Sequence, residues 1–382
     1  MNATDRISAL LRGHRVFDGH NDLLWAAREK VGYDFDRLEL TDSDACQAIG
    51  THTDLPRLRA GGVGAQFWSV YVPATLSGDA AVTATLEQVD AGHAMITRYA
   101  DQLALATTVE DVERAWQQGK IASLMGAEGG HQINESLGTL RMLHRIGVRY
   151  MTLTHNDNVP WADSATDEPV LGGLSDFGRE VVAEMNRIGV LVDLSHVSAD
   201  VMRQALDVSS VPVIFSHSSA RAVCDHPRNV PDDVLARLAG NGGLCMVTFV
   251  PKFVNQDVCD WTDQAKAAAR EQGIELRELE AEHAFLERYA AEHPAPTATL
   301  DDVVTHLEHV REVAGIEHIG LGGDYDGVDV LPAGLEDVSA YPRLLAALAD
   351  RGWSDEDLAR LTCRNVLRVM GDAGVTATGE AR

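Results

Sequence analysis

The chain has 382 residues, 45% hydrophobic and 24% charged, a globular balance with enough apolar material for a large core. Its formal net charge of -26 repels phosphate backbones and anionic headgroups, which argues against nucleic acid and membrane surfaces as partners. Such a field favours solubility and gathers metal cations, but it names no substrate.

Met1 to His14 is polar and mixed in charge, without the apolar centre of a secretory leader, and Ile7 to Leu11 reads as a short leading helix. The first strand is Val16-Phe17-Asp18-Gly19-His20-Asn21-Asp22, an apolar run ending in Gly and followed by His20 and Asp22 two positions apart. In an extended segment such residues share a side, so an imidazole and a carboxylate aim at one point, a combination that suits zinc. Arg28 to Asp54 is polar and weakly periodic, and is expected to be an excursion over the mouth of the fold. Ala65 to Val72 is a second strand, and Val82 to Ala106 carries apolar positions at helical spacing.

Ile121 to Met125 is a third strand, ending at Glu128. A helix over about 137–146 leads to a fourth, Val148 to Thr154, ending at His155. The helix 176–188 precedes the fifth, Val190 to Leu194, ending Ser195-His196. The sixth, Val213 to Phe215, ends at His217. Pro231-Asp232-Asp233 starts a helix, since Pro fits the first turn and acids complement the dipole there. Leu244 to Val250 is the seventh strand. Residues 262–292 are rich in Ala, Glu and Arg and read as an inserted helical pair. On the stripe 301–314, His306 and His309 read as a solvated face. His318 to Leu321 is the eighth strand, running into Gly323-Asp324-Tyr325-Asp326-Gly327, and two helices close the chain. No apolar run is long enough to span a bilayer. The five cysteines are scattered, without a Cys-x-x-Cys, which fits reduced structural thiols and a cytoplasmic location.

Eight strands alternating with helices predict an α/β protein, a parallel (β/α)8 TIM barrel in a single domain over 1–382 with helical insertions. The competing doubly wound sheet lacks its Gly-x-Gly-x-x-Gly or phosphate-loop signature. In a barrel the residues just past each strand lie on the C-terminal rim, where active sites of this fold are built. Here they are His20, Asp22, Glu128, His155, His196, His217 and Asp324. Independent loop anchors would not need to be histidines and acids only, so the joint pattern points to metal catalysis. The ligand count suggests two ions: His20, Asp22, His196 and His217 give two terminal ligands each, and Glu128 bridges with its two oxygens. A water between paired cations is acidified to hydroxide at neutral pH. Asp324, left without a terminal slot, suits proton shuttling, and His155 suits an oxyanion. Mixed nitrogen and oxygen ligands favour zinc, with iron, manganese and cobalt as other fits. Arg228 is read from composition as a solvated arginine, and Asp326 as a supporting or turn residue.

These residues resemble the membrane (renal) dipeptidase family, a binuclear-zinc branch of the amidohydrolase-like barrels. The resemblance rests on separate blocks: Asp18-Gly19-His20-Asn21-Asp22, Glu128-Gly129-Gly130-His131, Thr154-His155-Asn156, Asp193-Leu194-Ser195-His196, Phe215-Ser216-His217-Ser218, Arg228-Asn229-Val230-Pro231 and Gly322-Gly323-Asp324-Tyr325-Asp326-Gly327. It spans about residues 14–370. It implies two zinc ions per chain, one held by His20, Asp22 and Glu128 and the other by Glu128, His196 and His217. It implies His155 at the scissile carbonyl, Arg228 at the substrate's C-terminal carboxylate and Asp324 as general acid/base, in a homodimer. The implied reaction is hydrolysis of dipeptides, including those with a D residue at the C-terminal position. An amidohydrolase acting on cyclic amides, lactones or N-acyl amino acids is the enzymatic alternative, and an inactive metal-binding barrel the non-enzymatic one. The run Thr248 to Phe253, Arg221 and the long 262–292 stretch depart from the family pattern and leave side-chain preference open.

Overall fold

Nine strands form in this computed structural model, which describes residues 3–274, 276 and 279–376. They are β1 (Val16–Asn21), β2 (Val63–Tyr71), β3 (Leu103–Leu105), β4 (Ile121–Glu128), β5 (Val148–Thr152), β6 (Leu191–Asp193), β7 (Ile214–Phe215), β8 (Leu244–Val247) and β9 (Ile319–Leu321). All pairings are parallel, in the order β2-β1-β9-β8-β7-β6-β5-β4, and β2 pairs with β4 from Ala65↔Ala122 to Tyr71↔Glu128. That pairing closes the sheet at eight strands, the barrel expected from the sequence.

The ninth strand departs from expectation. The helical pattern stops at Arg98, and Leu103–Leu105 then runs beside the first residues of β4, at Leu103↔Ile121. Only three residues long, this alternation is too short to stand out from the helix before it. The polar excursion also carries regular structure: helices Leu23–Val31, Ser43–Ile49 and Leu55–Ala60 enclose a loop over 50–54. The stretch 262–292, expected as an inserted helical pair, falls on two helices, Gln256–Glu271 and Leu279–Glu292, with a small cluster of their own around Ala265, Ala269 and Phe285.

Two apolar clusters reflect the period of two along the strands. Val16, Trp68, Met125, Met151 and Val192 pack with helix residues such as Val89, Leu140, Val181, Val201 and Val304, so they face outward. Phe17, Phe67, Leu124, Tyr150, Leu191, Ile214 and Leu244 form the second cluster and fill the barrel, joined at its N-terminal end by Val366, Val369 and Met370. Three helices that follow strand ends start on serine caps: Ser136, Ser175 and Ser198 accept from the N–H groups of Thr139, Gly178 and Val201. All five cysteines are free and buried. No helix among the described residues is long and apolar enough to cross a membrane.

Candidate metal centre

Every rim residue singled out in the sequence lies at one mouth, and all seven are buried. His20 belongs to β1, whose register is irregular between Asp18 and Asn21, and Asp22 is already the N-cap of the next helix. The two therefore meet by a turn of the chain and not by strand alternation, with His20 Nε2 3.2 Å from Asp22 Oδ2. Glu128 ends β4. Its Oε1 lies 3.1 Å from His196 Nε2, 3.4 Å from His217 Nε2, 3.4 Å from His20 Nε2 and 3.9 Å from His155 Nε2. Asp324 Oδ1 stands 3.8 Å from His20 Nε2. His196 (φ 68°) and Asp324 (φ 61°) hold left-handed backbone conformations that cost a non-glycine residue about 1 kcal/mol or more.

Supporting groups fix which nitrogen faces the centre. Tyr150 Oη is 2.7 Å from His20 Nδ1, which leaves Nε2 pointing into the cluster without a hydrogen-bond partner. Gly126 of β4 makes room for that phenol, since a Cβ there would lie 2.0 Å from Tyr150 Cζ. Asp193, at the end of β6, accepts hydroxyl hydrogens from Thr152 and Ser216, both at 2.6 Å. With its proton so committed, Ser216 Oγ accepts from His217 Nδ1 at 2.8 Å, and His217 Nε2 is left as a lone pair facing Glu128. Asp18 plays the matching part under β1, accepting from the N–H groups of His20 and Gly323 and from the Tyr341 hydroxyl. Ser69 donates to Glu128 Oε2 at 3.0 Å.

Asp18, Asp193, Tyr150, Ser69 and Ser216 were not singled out from the sequence. The available signal was a carboxylate within a buried strand two or three residues ahead of a histidine, at Asp18 and Asp193. The reading of Arg228 as solvated is corrected: it is 2% exposed, with its guanidinium 5.2 Å from the centroid of the Phe253 ring. Of the two buried arginines among the described residues, Arg57 is paired with Asp54, whereas Arg228 keeps Nη1 without a hydrogen-bond partner. His306 is corrected too. It is fully buried, accepting from Ala220 N at 3.0 Å through Nδ1 and reaching the Val254 carbonyl at 3.1 Å through Nε2. The helical stripe places it inward, and the backbones of Ala220 and Val254 supply the partners that let a polar ring be buried.

The electrostatics of the mouth favour added positive charge. Burial works to strip the proton from His20, yet Tyr150, Glu128 and Asp22 reverse this and raise its pKa well above the ordinary value. Burial lifts the Asp324 carboxyl to about 8 against the pull of His20, with Asp22 and Glu128 adding to the rise. Burial also lowers His155 to about 4, so its imidazole is neutral near pH 7. Imidazole nitrogens and carboxylate oxygens group within ligand reach as His20, Glu128 and His217, as Glu128, His155 and His196, and as His20, Asp22 and Asp324. Buried nitrogens aimed at one carboxylate oxygen, with the far nitrogen of His20 and of His217 already engaged, are a donor set that fits divalent metal.

The sequence pattern defining the membrane dipeptidases, peptidase family M19, matches residues 4–381. The chain belongs to the membrane dipeptidase family. As a family member it is a dipeptidase of the metallopeptidase type. Solved structures with the same fold include the protein described as the probable dipeptidase PvdM of Pseudomonas aeruginosa, at 23% identity and TM-score 0.82, over 97% of this chain and 98% of that one. Another is the metallopeptidase of Rhodobacter sphaeroides liganded with a phosphinate mimic of the dipeptide L-Ala-D-Ala, at 23% identity and TM-score 0.75, over 94% and 99%. A third, dipeptidase AC of family M19, matches at 24% identity and TM-score 0.77, over 94% and 98%. The membrane dipeptidase fold thus accounts for this chain along nearly its whole length.

Proposed function

We propose that the chain hydrolyses dipeptides, both L-Xaa-L-Xaa and L-Xaa-D-Xaa, at two zinc ions that share Glu128. One observation carries the reading: three imidazole nitrogens, from His20 in β1 and from His196 and His217 just past β6 and β7, stand 3.1–3.4 Å from the same Glu128 oxygen. On this reading His20 and Asp22 would hold one ion and His196 and His217 the other, with Glu128 as the ligand common to both. Bound there, the ions would supply an acidified water and an electrophilic contact for the scissile carbonyl.

The chain's own side chains do the rest. Arg228 takes the substrate's free carboxylate through the Nη1 that has no protein partner. His155, kept neutral by burial, donates its N–H to the carbonyl oxygen as that oxygen gains charge. Water adds to the carbonyl carbon and the C–N bond breaks. Asp324 receives the proton released by the water and delivers it to the leaving amine, a task for a buried carboxylate whose Oδ1 stands 3.8 Å from His20 Nε2 at the same mouth. The L,D specificity is the finer part of the proposal, and the L-Ala-D-Ala mimic bound by the Rhodobacter relative supports including that stereochemistry.

A panel of L,L and L,D dipeptides, assayed with wild-type protein loaded with zinc, tests the reading, and no cleavage anywhere in the panel refutes it. Arg228→Ala is expected to lower kcat/KM for dipeptides by about a hundredfold while changing esters without a free carboxylate much less, since a buried charged hydrogen bond is worth about 2–3 kcal/mol. Equal losses on both substrate types would mean Arg228 is structural. Asp324→Asn is expected to keep the metal content and lose most turnover, whereas loss of metal would make Asp324 a ligand.

A further inference from the structure

The Asp324 loop is strained at two places. Asp324 (φ 61°) and Asp326 (φ 66°) flank Tyr325 in left-handed conformations. Such backbone persists only where its surroundings over-determine it. Part of that determination comes from β1, since Asp324 N donates to His20 O at 3.2 Å and Asp22 N donates to Tyr325 O at 2.9 Å. The other part comes from the 50–54 loop, far away in sequence. His52 N–H donates to Asp326 Oδ1 at 2.7 Å, and Asp326 N–H donates back to His52 Nδ1 at 3.1 Å. The Asp326 side chain is 1% exposed.

The same loop also grips β1 and the far end of the β9 loop. Asn21 Nδ2 donates to Thr53 Oγ1 at 2.8 Å while Asn21 Oδ1 accepts from Leu23 N, which fixes the turn that carries Asp22. Val338 N donates to His52 O at 3.2 Å. The loop is therefore a strut between the chain ends that present Asp22 and Asp324. The tolerance between those two carboxylates is small. A Cβ on Gly327 would lie 2.4 Å from Asp324 Oδ1 and 2.5 Å from Asp22 Oδ2, so the turn after Asp326 backs directly onto both.

From this geometry we infer that His52 and Asp326 are a reciprocal positioning pair that sets where Asp324 stands relative to Asp22, and so sets the rate of the proton transfer. Neither side chain touches substrate. Each acts through the backbone of the Asp324 loop. The inference rests on the reading of Asp324 as the proton carrier, and its test separates the two.

The experiment compares wild type, His52→Ala, Asp326→Ala and the conservative variants His52→Asn and Asp326→Asn. His52→Asn keeps an acceptor where Nδ1 lies, and Asp326→Asn keeps the acceptor for the His52 N–H. Zinc per chain, kcat and KM on a cleaved dipeptide, and crystal structures are read for each. His52→Ala and Asp326→Ala are expected to lower kcat by about a hundredfold, the cost of a displacement of about 1 Å, with KM and zinc content held. The asparagine variants are expected to return kcat to within about threefold of wild type, a residual of less than 1 kcal/mol. In the alanine crystal structures Asp324 leaves its left-handed conformation and moves off His20, and in the asparagine structures it returns. A folded His52→Ala and Asp326→Ala in which Asp324 has not moved overturns the inference. So does a parallel fall in zinc content and activity with kcat per bound zinc unchanged, which would make the pair merely structural. Wild type that cleaves no dipeptide would sink the proposed reaction, and the Asp324 positions would still decide the pairing.

Discussion

Three hydroxyls decide how the imidazoles and the central carboxylate face one another. Tyr150 engages His20 Nδ1, Ser216 engages His217 Nδ1, and Ser69 holds Glu128 Oε2. Ser216 can accept from His217 because Asp193 takes its proton, so the tautomer of His217 is set by a carboxylate two hydrogen bonds from its ring. Removing such an outer partner lowers metal affinity about 10- to 100-fold in metal sites generally. Ser216→Ala is therefore expected to weaken zinc binding by about that factor, read by competition with a chelator, while Ser216→Thr keeps the affinity near wild type. Unchanged affinity in Ser216→Ala would show that Asp193 and Ser216 serve the barrel and not the ligand. His196 differs, since its Nδ1 has no hydrogen-bond partner, and its orientation rests on backbone strain and packing against His155 at 4.3 Å between ring centroids.

At the scale of elements, the rim is built where strands end and chains from distant parts of the sequence are pinned together. His306 is one such pin, reaching from the helix Leu300–Ala314 to Ala220 after β7 and to Val254 in the short helix after β8. Because Ala220 N–H is a donor, Nδ1 must accept and Nε2 must carry the proton, so the ring is neutral when folded. Burial, with a contribution from His309, lowers its pKa from 6.5 to about 4. The unfolded chain takes up a proton near 6.5 that the folded chain refuses, so this stability is present above about 6.5 and lost as pH falls toward 4. His144, lowered to about 4 by burial and by Arg149 and Arg145, acts in the same direction. Urea unfolding of wild type is expected to show falling stability between pH 7 and 4.5. His306→Gln should be about 1–3 kcal/mol less stable at pH 7 and less steep in pH. An identical pH slope in the variant would remove His306 from the acid response.

At the scale of the whole molecule, much of the architecture and of the mouth was legible because chemistry recurs at strand ends. A buried run ending in His or an acid gives both the strand and a candidate ligand at once, and six of the eight ring strands, all but β2 and β8, carry that signal and supply the seven rim residues. What escaped was whatever depends on a partner remote in sequence. Leu103–Leu105 is a strand only because β4 lies beside it, and Asp193 is a support only because Ser216 and Thr152 arrive from neighbouring strands. Arg228 and His306 looked solvated by type and are buried, because the loops that cover them are set by the barrel and not by local pattern. His52 carried no signal of its own, being one more histidine in a polar excursion. The net charge of -26 gives the surface a cation-attracting field, while the buried Arg228 is a positive charge close enough to Asp324 and Glu128 to interact with both.

On the proposed reading, side chains at or just past the ends of β1, β4, β6 and β7 hold two ions about Glu128. Anomalous difference maps from crystals of the zinc-loaded protein, recorded at the zinc edge, test it most directly. Two peaks are predicted, one beside His20 and Asp22 and the other beside His196 and His217, with Glu128 between them. A single peak, or none in contact with Glu128, would contradict the account.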